Sequence, residues 1–244
     1  MITTERYTLR VGKESRVFQV TRFSPHQLRI GIIPTKTVNG VTFEGKPIAP
    51  KEVGAAFSGH GAALNGPWGG WSPDDKVRIY RKATSMVLEC GYFDKFNNIH
   101  IPPTKYGLKK HIGKTLTIGV RNGLVYACRG KWDCEGADVA VQLPMTYIVD
   151  SKATTPPDAR KLPWPAFGVN KHGQLLFIAS PSCFIRDLQD VLLKHDVTDA
   201  GGTDGGGSTA MLVADQCFGS TENRKTPSHI LVLADSNDPV ITYK

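Results

Sequence analysis

Short segments with the residue pattern of a β-strand recur along this chain, and the first of them alternate apolar and polar residues. The alternation begins near the N-terminus, with Tyr7–Arg10 and Arg16–Val20, and it recurs in later segments. These later strand candidates are residues 27–33, 77–80, 85–89, 116–120, 124–127, 166–169, 174–178, 210–214 and 229–234. A chain with strands along its whole length cannot be a helical bundle, and it lacks the regular strand and helix alternation of a doubly wound parallel sheet.

Only one segment has the apolar period of a helix. Phe184, Leu188, Val191 and Leu192 recur at helical spacing, and Ser182 is the predicted N-cap. Strands followed by one late helix predict an α+β fold with a mixed, largely antiparallel sheet and few helices.

Two turns are predicted from local residue chemistry. Asn122-Gly123 predicts a hairpin between 116–120 and 124–127, and the turn 170–173 contains Gly173 and predicts a second hairpin. The Pro-containing segment 154–158 is typical of an exposed loop. We find no internal repeat, and we expect one domain over residues 1–244.

Composition excludes several protein classes. The chain is 40% hydrophobic, and its 25 Gly and 16 Pro are spread out, which argues against collagen-like and disordered chains. No apolar run is long enough to span a membrane, and the first seven residues have no signal-peptide pattern, so we expect a cytoplasmic chain. A virion-associated protein would have the same N-terminal character. Five scattered cysteines argue against a disulfide framework and fit no common zinc spacing, so we predict no metal and no cofactor.

The net charge of +8 is unevenly distributed. Residues 1–122 contain 19 Lys and Arg against 8 Asp and Glu, whereas residues 123–244 contain 11 against 14. A basic half attracts a polyanion or a phosphorylated small molecule, although a solvated basic face explains the same excess. No motif of a nucleic-acid-binding fold accompanies it, and the oligomeric state has no sequence signal.

The run of residues 201–209 contains five glycines in nine positions. It lacks the Lys of a Walker loop, and a helix precedes it where a dinucleotide fingerprint needs a strand. What remains is a tight loop that presents the carboxylate of Asp204, the hydroxyls of Ser208 and Thr209, and backbone N–H groups suited to an anion. A structural turn with an Asx hydrogen bond from Asp204 is the alternative.

Three segments resemble one known family. They are Asp204–Met211 after the predicted helix, Ala62–Gly66, and Ala166–Leu176. In their order along the chain they resemble the phosphodiester glycosidase domain, most clearly over residues 160–235, with a second anchor at 62–66. The resemblance implies a phosphodiester-glycosidase-like fold and hydrolysis of a sugar-1-phosphodiester, with a sugar phosphate or another phosphorylated small molecule as the partner.

The chemistry of this reaction suggests roles for the glycine-loop residues. A sugar–phosphate bond breaks through an oxocarbenium-like transition state, and Asp204 is the candidate carboxylate, as nucleophile, base or electrostatic stabiliser. Gly205, Gly206, Gly207, Ser208 and Thr209 would hold sugar or phosphate oxygens through N–H and O–H donors. Asn65 would bind sugar hydroxyls through its amide, unless it is only a turn residue.

Six further residues are weaker candidates. Glu89 would be a second catalytic carboxylate or a solvated strand residue, and His229 an acid/base or a strand-end histidine. Trp68, with Trp71, would stack on a sugar or anchor a loop, and His60 lies in the same region. Lys225 would bind the substrate's phosphate.

The chain departs from the family's pattern where arginines are expected. Trp164 stands at one such position, and Lys225 and His229 occupy positions of a further Arg and Asn. Arg160 or Arg224 would then supply a lost charge. Because Lys does not reproduce the bidentate geometry of Arg, the rival hypothesis is a noncatalytic protein of the same fold that holds a phosphorylated glycan, nucleotide or nucleic acid.

Overall fold

The computed structural model describes residues 2–31, 37–38, 42–43, 61–66, 69–71, 86–88, 90–96, 98–103, 114–155, 159–213, 216–219, 229–233 and 242–243. These residues form strands β1 to β22, one α-helix, α1 (Ile185–Lys194), and two short 3-10 turns, Pro25–Gln27 and Gly206–Ser208. The strands are β1 Thr3–Val11, β2 Glu14–Phe23, β3 Leu28–Gly31, β4 Thr37–Val38, β5 Thr42–Phe43, β6 Gly61–Asn65, β7 Gly69–Trp71, β8 Met86–Leu88, β9 Tyr92–Asp94, β10 Ile99–Ile101, β11 Leu116–Arg121, β12 Leu124–Arg129, β13 Val139–Leu143, β14 Met145–Val149, β15 Lys152–Ala153, β16 Leu162–Asn170, β17 Leu175–Cys183, β18 Val197–Gly202, β19 Ala210–Val213, β20 Gln216–Gly219, β21 His229–Leu233 and β22 Thr242–Tyr243.

The described strands form four sheets. The main sheet has eight strands in the order β15-β14-β18-β16-β17-β2-β1-β22. A second sheet has the order β10-β9-β13-β11-β12, a third β20-β19-β6-β21-β3, and a small fourth β4-β5-β8-β7. Among the described strands every pair is antiparallel except β1 with β22.

The central strands β16 and β17 of the main sheet are buried on both faces, and their successive residues face different cores. In β16, Ala166 packs toward α1, whereas Phe167 packs into the core shared with the second and third sheets. There Phe167 contacts Phe177 of β17 edge-on, with ring centroids 5.7 Å apart. Strands buried on both sides explain why β16 and β17 have continuous apolar runs rather than strict alternation.

The single predicted helix exists, but its predicted start is wrong. Ser182 lies in β17, and Phe184 is the N-cap. The Asp187 carboxylate accepts a hydrogen bond from the Phe184 backbone N–H at 2.9 Å. Phe184 is therefore not on the buried stripe; it is 37% exposed, and Ile185 takes its place in the core. The ladder between β17 and β16, which extends to Cys183, overrides the local capping signal.

Both predicted hairpins are confirmed, as β11–β12 and β16–β17. The predicted class is right in its antiparallel sheets and its one α-helix, although the described chain is largely β. The candidate strand at 77–80 lies outside the described residues. No helix in the described part is long and apolar enough to cross a membrane. A single domain over 1–244 stays a prediction.

The main sheet and the third sheet hold the two ends of the segment that contains Asp204. Strand β18 lies inside the main sheet between β14 and β16, while β19 lies beside β6 in the third sheet. The chain passes from one sheet to the other through residues 203–209. This crossover, called the glycine loop below, contains Asp204.

Candidate active site

The glycine loop is shorter than the glycine run that predicted it. Gly201 and Gly202 belong to β18, where they pair with Thr146 and Met145 of β14. The loop proper begins at Thr203, and Gly206–Ser208 form one 3-10 turn before β19 starts at Ala210. The expectation that all of 201–209 is a loop is therefore wrong at its first two residues, which complete a buried strand.

The side-chain amide of Asn65 ties the two ends of the glycine loop together. Its Nδ2 donates to the backbone carbonyl of Asp204 at 2.6 Å, and its Oδ1 accepts from the Ala210 N–H at 3.0 Å. The Asp204 N–H in turn donates to the Gly66 carbonyl at 3.3 Å. Asn65 is 1% exposed, so these bonds lie in a buried environment where each is costly to lose. Asn65 thus positions the residue that carries the carboxylate.

The predicted sugar contact of Asn65 stays a prediction, because the structure assigns each of its polar atoms a backbone partner. A ligand would have to use the second N–H of Nδ2 or the second lone pair of Oδ1. The positioning role needs neither of these, and it explains why an amide, which donates and accepts at once, stands at the end of β6.

Two of the predicted ligand-binding residues use their donors inside the protein. The Thr209 hydroxyl donates to the Pro163 carbonyl at 3.0 Å, and its backbone N–H donates to the Gly206 carbonyl at 3.1 Å. The Ser208 N–H faces the Gly205 carbonyl at 3.4 Å. The turn and β16 thus take these three donors, and the ligand contacts of Ser208 and Thr209 stay predictions.

Three of the donors that remain on the loop are backbone amides. Within the described residues, the N–H groups of Gly205, Gly206 and Gly207 donate to no protein acceptor. Gly207 is exposed, and Gly205, Gly206 and Asp204 are half-buried. A carboxylate beside three such amides can combine one negative group with donors for an anionic ligand.

His229 lies next to Asn65 in the third sheet. The register of β21 and β6 pairs His229 with Asn65, so both side chains project from the same face of the sheet. The neighbouring pair, Leu64 and Ile230, points the other way into the core between the sheets. His229 is 1% exposed. The topology therefore brings together two predicted site residues that are far apart in sequence, and the acid/base role of His229 stays a prediction.

Trp164, noted in the sequence only as a replaced arginine, packs against the glycine loop. It is 4% exposed, and its indole lies over Gly205. Its Nε1 donates to the carbonyl of Arg160 at 3.3 Å. The sequence signal for this packing contact is a large aromatic residue at a position where a charged one is expected. The structure places that residue against the glycine loop. Pro163 and Gly66 carry no such signal, since each contributes only a backbone carbonyl.

Four candidate residues cannot be placed. Glu89, Trp68, Lys225 and His60 lie outside the described residues. In the part of the chain that the structure covers, no three His, Cys, Asp or Glu side chains group as metal ligands.

Comparison with known proteins adds family and fold. A family model described as phosphodiester glycosidase matches residues 94–233, more than half of the chain. A search of curated protein sequences finds no significant match.

Among solved structures, the chain is similar to the catalytic domain of zebrafish N-acetylglucosamine-1-phosphodiester alpha-N-acetylglucosaminidase, which is auto-inhibited by its pro-peptide. The TM-score is 0.63 at 10% identity, and the match covers 96% of this chain and 83% of that one. A hypothetical protein from Synechocystis matches with a TM-score of 0.52 at 8% identity, over 94% of this chain and 61% of that one. A Burkholderia pseudomallei protein described as exported matches with a TM-score of 0.53 at 11% identity, over 90% and 74%. At these identities the likeness shows the fold alone.

Proposed function

The chain belongs to the phosphodiester glycosidase family, and we propose that it hydrolyses the bond between the anomeric carbon of a sugar and a phosphodiester. Water adds its oxygen to the anomeric carbon, the C1–O bond breaks, and the products are the free sugar and a phosphate monoester. The leaving phosphate is a weak base, so it needs less protonation than an alcohol leaving group would.

The observation that carries the proposal is the double hydrogen bond from Asn65 to the glycine loop. By holding the Asp204 carbonyl and the Ala210 N–H at once, Asn65 fixes the backbone on both sides of the three unengaged glycine amides. A carboxylate and donors fixed before the ligand arrives lose less free energy to reorganisation during the reaction.

In this proposal the Asp204 carboxylate acts on the anomeric centre, as nucleophile, as base for the water, or as electrostatic stabiliser of the oxocarbenium ion. The amides of Gly205–Gly207 bind phosphate or sugar oxygens. His229 supplies or removes a proton near the leaving group, in keeping with its register position beside Asn65.

One observation favours the rival function, ligand binding without turnover. Trp164 is buried and packed on Gly205, so it brings no positive charge to the loop. A site of neutral donors can hold a phosphorylated ligand through hydrogen bonds, while it stabilises a departing phosphate less than an arginine would.

The test is the substitution Asp204→Asn in the full chain. Purified protein is incubated with UDP-N-acetylglucosamine and with a glycosyl phosphodiester, and the free sugar and the phosphate product are measured. We expect kcat/KM to fall about 10²–10⁴-fold, the range for loss of a catalytic proton-transfer group. Asp190→Asn, the same change at an exposed position of α1, is the matched control and should keep wild-type turnover.

Wild-type turnover by a correctly folded Asp204→Asn protein would overturn the assignment. Binding of both compounds without any turnover by the wild-type protein would instead establish the rival function, and a steep loss of affinity with rising salt would then indicate a charged ligand. The cytoplasmic location and the polyanion partner stay predictions.

A further inference from the structure

The side chain of Trp164 occupies the space that any side chain at position 205 would need. A Cβ atom on Gly205 would lie 2.4 Å from Cε3 and 2.5 Å from Cζ3 of the indole. These separations are far below van der Waals contact, so the indole and the glycine backbone pack directly on each other.

The indole cannot easily move away, because its other side belongs to the core beneath α1. Trp164 is part of the buried cluster that includes Cys183, Ile185 and Leu188. Its backbone pairs with Ser180 in the ladder of β16 with β17, and its Nε1 donates to the Arg160 carbonyl. A contact on the glycine loop is therefore linked to the buried face of the main sheet that packs against α1.

The residue before Trp164 holds the opposite end of the loop. The Pro163 carbonyl accepts the Thr209 hydroxyl at 3.0 Å, while Trp164 covers Gly205. Two consecutive residues of β16 thus brace the loop from the main sheet, as Asn65 braces it from the third sheet. Asp204 directly precedes Gly205, and its own backbone carbonyl accepts the Asn65 bond.

The backbone dihedrals show that Gly205 is needed because of the Trp164 contact, whereas Gly206 is needed because of its own left-handed conformation. Gly205 has φ −94°, which any residue adopts, so only the indole forbids a side chain there. Gly206 has φ +63° with open space around its Cβ position, so a substitution there is costly for its backbone and meets no neighbour. Two adjacent glycines are therefore required for two different reasons.

We propose that Trp164 is a positioning residue for the proposed reaction: by packing on Gly205 it sets the place of the Asp204 carboxylate and of the loop amides. The inference rests on the proposed function. Because Trp164 is buried, it acts on kcat in this proposal through the loop and not by touching the substrate. A displacement of about 1 Å at a reacting group costs on the order of 10²-fold in rate.

The experiment is a pair of double-mutant cycles in the full chain. The first combines Gly205→Ala with Trp164→Ala, and the second combines Gly206→Ala with Trp164→Ala. Hydrogen exchange of a peptide covering residues 203–209 reports the order of the loop, and a peptide covering the turn 171–174 is the internal reference. kcat and KM are measured with UDP-N-acetylglucosamine, and circular dichroism checks the fold of each variant.

We expect Trp164→Ala and Gly205→Ala each to speed exchange of the loop peptide at least about tenfold and to lower kcat about 10–100-fold, with KM changed less than about threefold. The reference peptide should not change. In the Trp164→Ala background, Gly205→Ala should change the exchange rate of the loop peptide and kcat by less than about twofold, because the indole that the added methyl group strikes is gone. Gly206→Ala should have the same effect in both backgrounds.

The inference would be overturned if Gly205→Ala and Trp164→Ala had independent, multiplicative effects on exchange of the loop peptide. It would also be overturned if the two substitutions sped exchange of the reference peptide as much as exchange of the loop peptide. If Trp164→Ala does not fold, Trp164→Phe replaces it in both cycles, since phenylalanine lacks the Cε3 and Cζ3 atoms that strike the added methyl. The exchange cycle requires no turnover. A protein that fails the catalytic test can therefore still pass or fail this one.

Discussion

Two glycine-bearing connections of the main sheet differ in what holds them. In the turn between β16 and β17, the Asn170 side chain accepts hydrogen bonds from the backbone N–H groups of His172 and Gln174, both at 3.0 Å. Every partner of this side chain lies within four residues, and one distant backbone bond of the turn runs from the Lys171 N–H to the Asp196 carbonyl at 2.9 Å. The glycine loop is held by Asn65, which is 139 residues from Asp204, and by Pro163, which is 46 residues from Thr209.

This difference indicates which property, folding stability or activity, a substitution in each connection would affect. A turn closed by its own residues loses folding stability when it is altered, but it carries no chemistry. A loop closed by distant residues can lose its arrangement while both sheets stay folded, so its supports are expected to affect activity first. The predictions below test this distinction.

The largest effect is expected for Asn65→Ala. The change leaves the Asp204 carbonyl and the Ala210 N–H without their buried partner, at a cost of about 1–3 kcal/mol for each group. The free energy of unfolding should fall by about 2–5 kcal/mol, and kcat should fall with it, as measured by urea denaturation and by turnover. Asn65→Asp is the comparison, since it keeps the acceptor for Ala210 and loses the donor to Asp204. Unchanged loop exchange in Asn65→Ala would contradict the role of the amide.

A smaller effect, confined to stability, is expected for Asn170→Ala. Asn170 is 4% exposed, and its Nδ2 also donates to the Gln174 side chain at 3.0 Å. The groups that lose Asn170 as a partner lie at a surface turn where water can replace it, so the free energy of unfolding should fall by about 1–2 kcal/mol. Denaturant melts give this value, and kcat per folded molecule should equal that of the wild type. A loss of kcat per folded molecule in Asn170→Ala would show that this turn, like the glycine loop, affects activity, and would contradict the distinction between them.

The turn of the β11–β12 hairpin should respond through its backbone alone. Asn122 and Gly123 have φ values of +50° and +76°, and a Cβ at Gly123 would meet nothing within 4 Å. Gly123→Ala should therefore cost about 1 kcal/mol from the left-handed backbone, and Gly123→Asn should cost less because Asn tolerates that region. Thermal melts of the two variants test the order. Equal destabilisation by both would show that the left-handed conformation is not the cause.

The smallest effect is a pH dependence located away from the glycine loop. Burial lowers the pKa of His195, and the positive charge of Arg22 lowers it further. Arg22 donates to Nδ1 of His195, which requires that nitrogen to be unprotonated. The other charged or titratable groups around the ring are Glu5, Asp196, Tyr7 and Lys194.

Because the folded protein binds the His195 proton less tightly than the unfolded chain does, this group should make the protein less stable as the pH falls below about 6.5. The Tm should drop between pH 7.5 and pH 5.5, and it should drop less in His195→Gln. The loop contacts of Asn65 and Thr209 are uncharged, so loop exchange, corrected for its intrinsic pH dependence, should not follow the same curve. If loop exchange instead rose over the pH range in which His195 becomes protonated, the order of the loop and the protonation of His195 would be coupled.

The sequence was most informative where structure is local. Asn122-Gly123 predicted its hairpin because both residues tolerate positive φ, and the apolar period of Leu188, Val191 and Leu192 located α1. The helix start was misplaced because the β16–β17 ladder, a contact outside the window of the pattern, keeps Ser182 in a strand. The acceptor of the Thr209 hydroxyl lies outside any local window for the same kind of reason, since Pro163 belongs to β16.

The sequence alone determined the strand-rich character, the late helix, the turn residues and the segments that mark the family, because periodicity and dihedral preference act over a few residues. Only the tertiary structure decided that β18 lies between β14 and β16, that Asn65 holds Asp204 and Ala210, and that Trp164 packs on Gly205. Such contacts form only when whole sheets pack together, so no single segment of the chain specifies them.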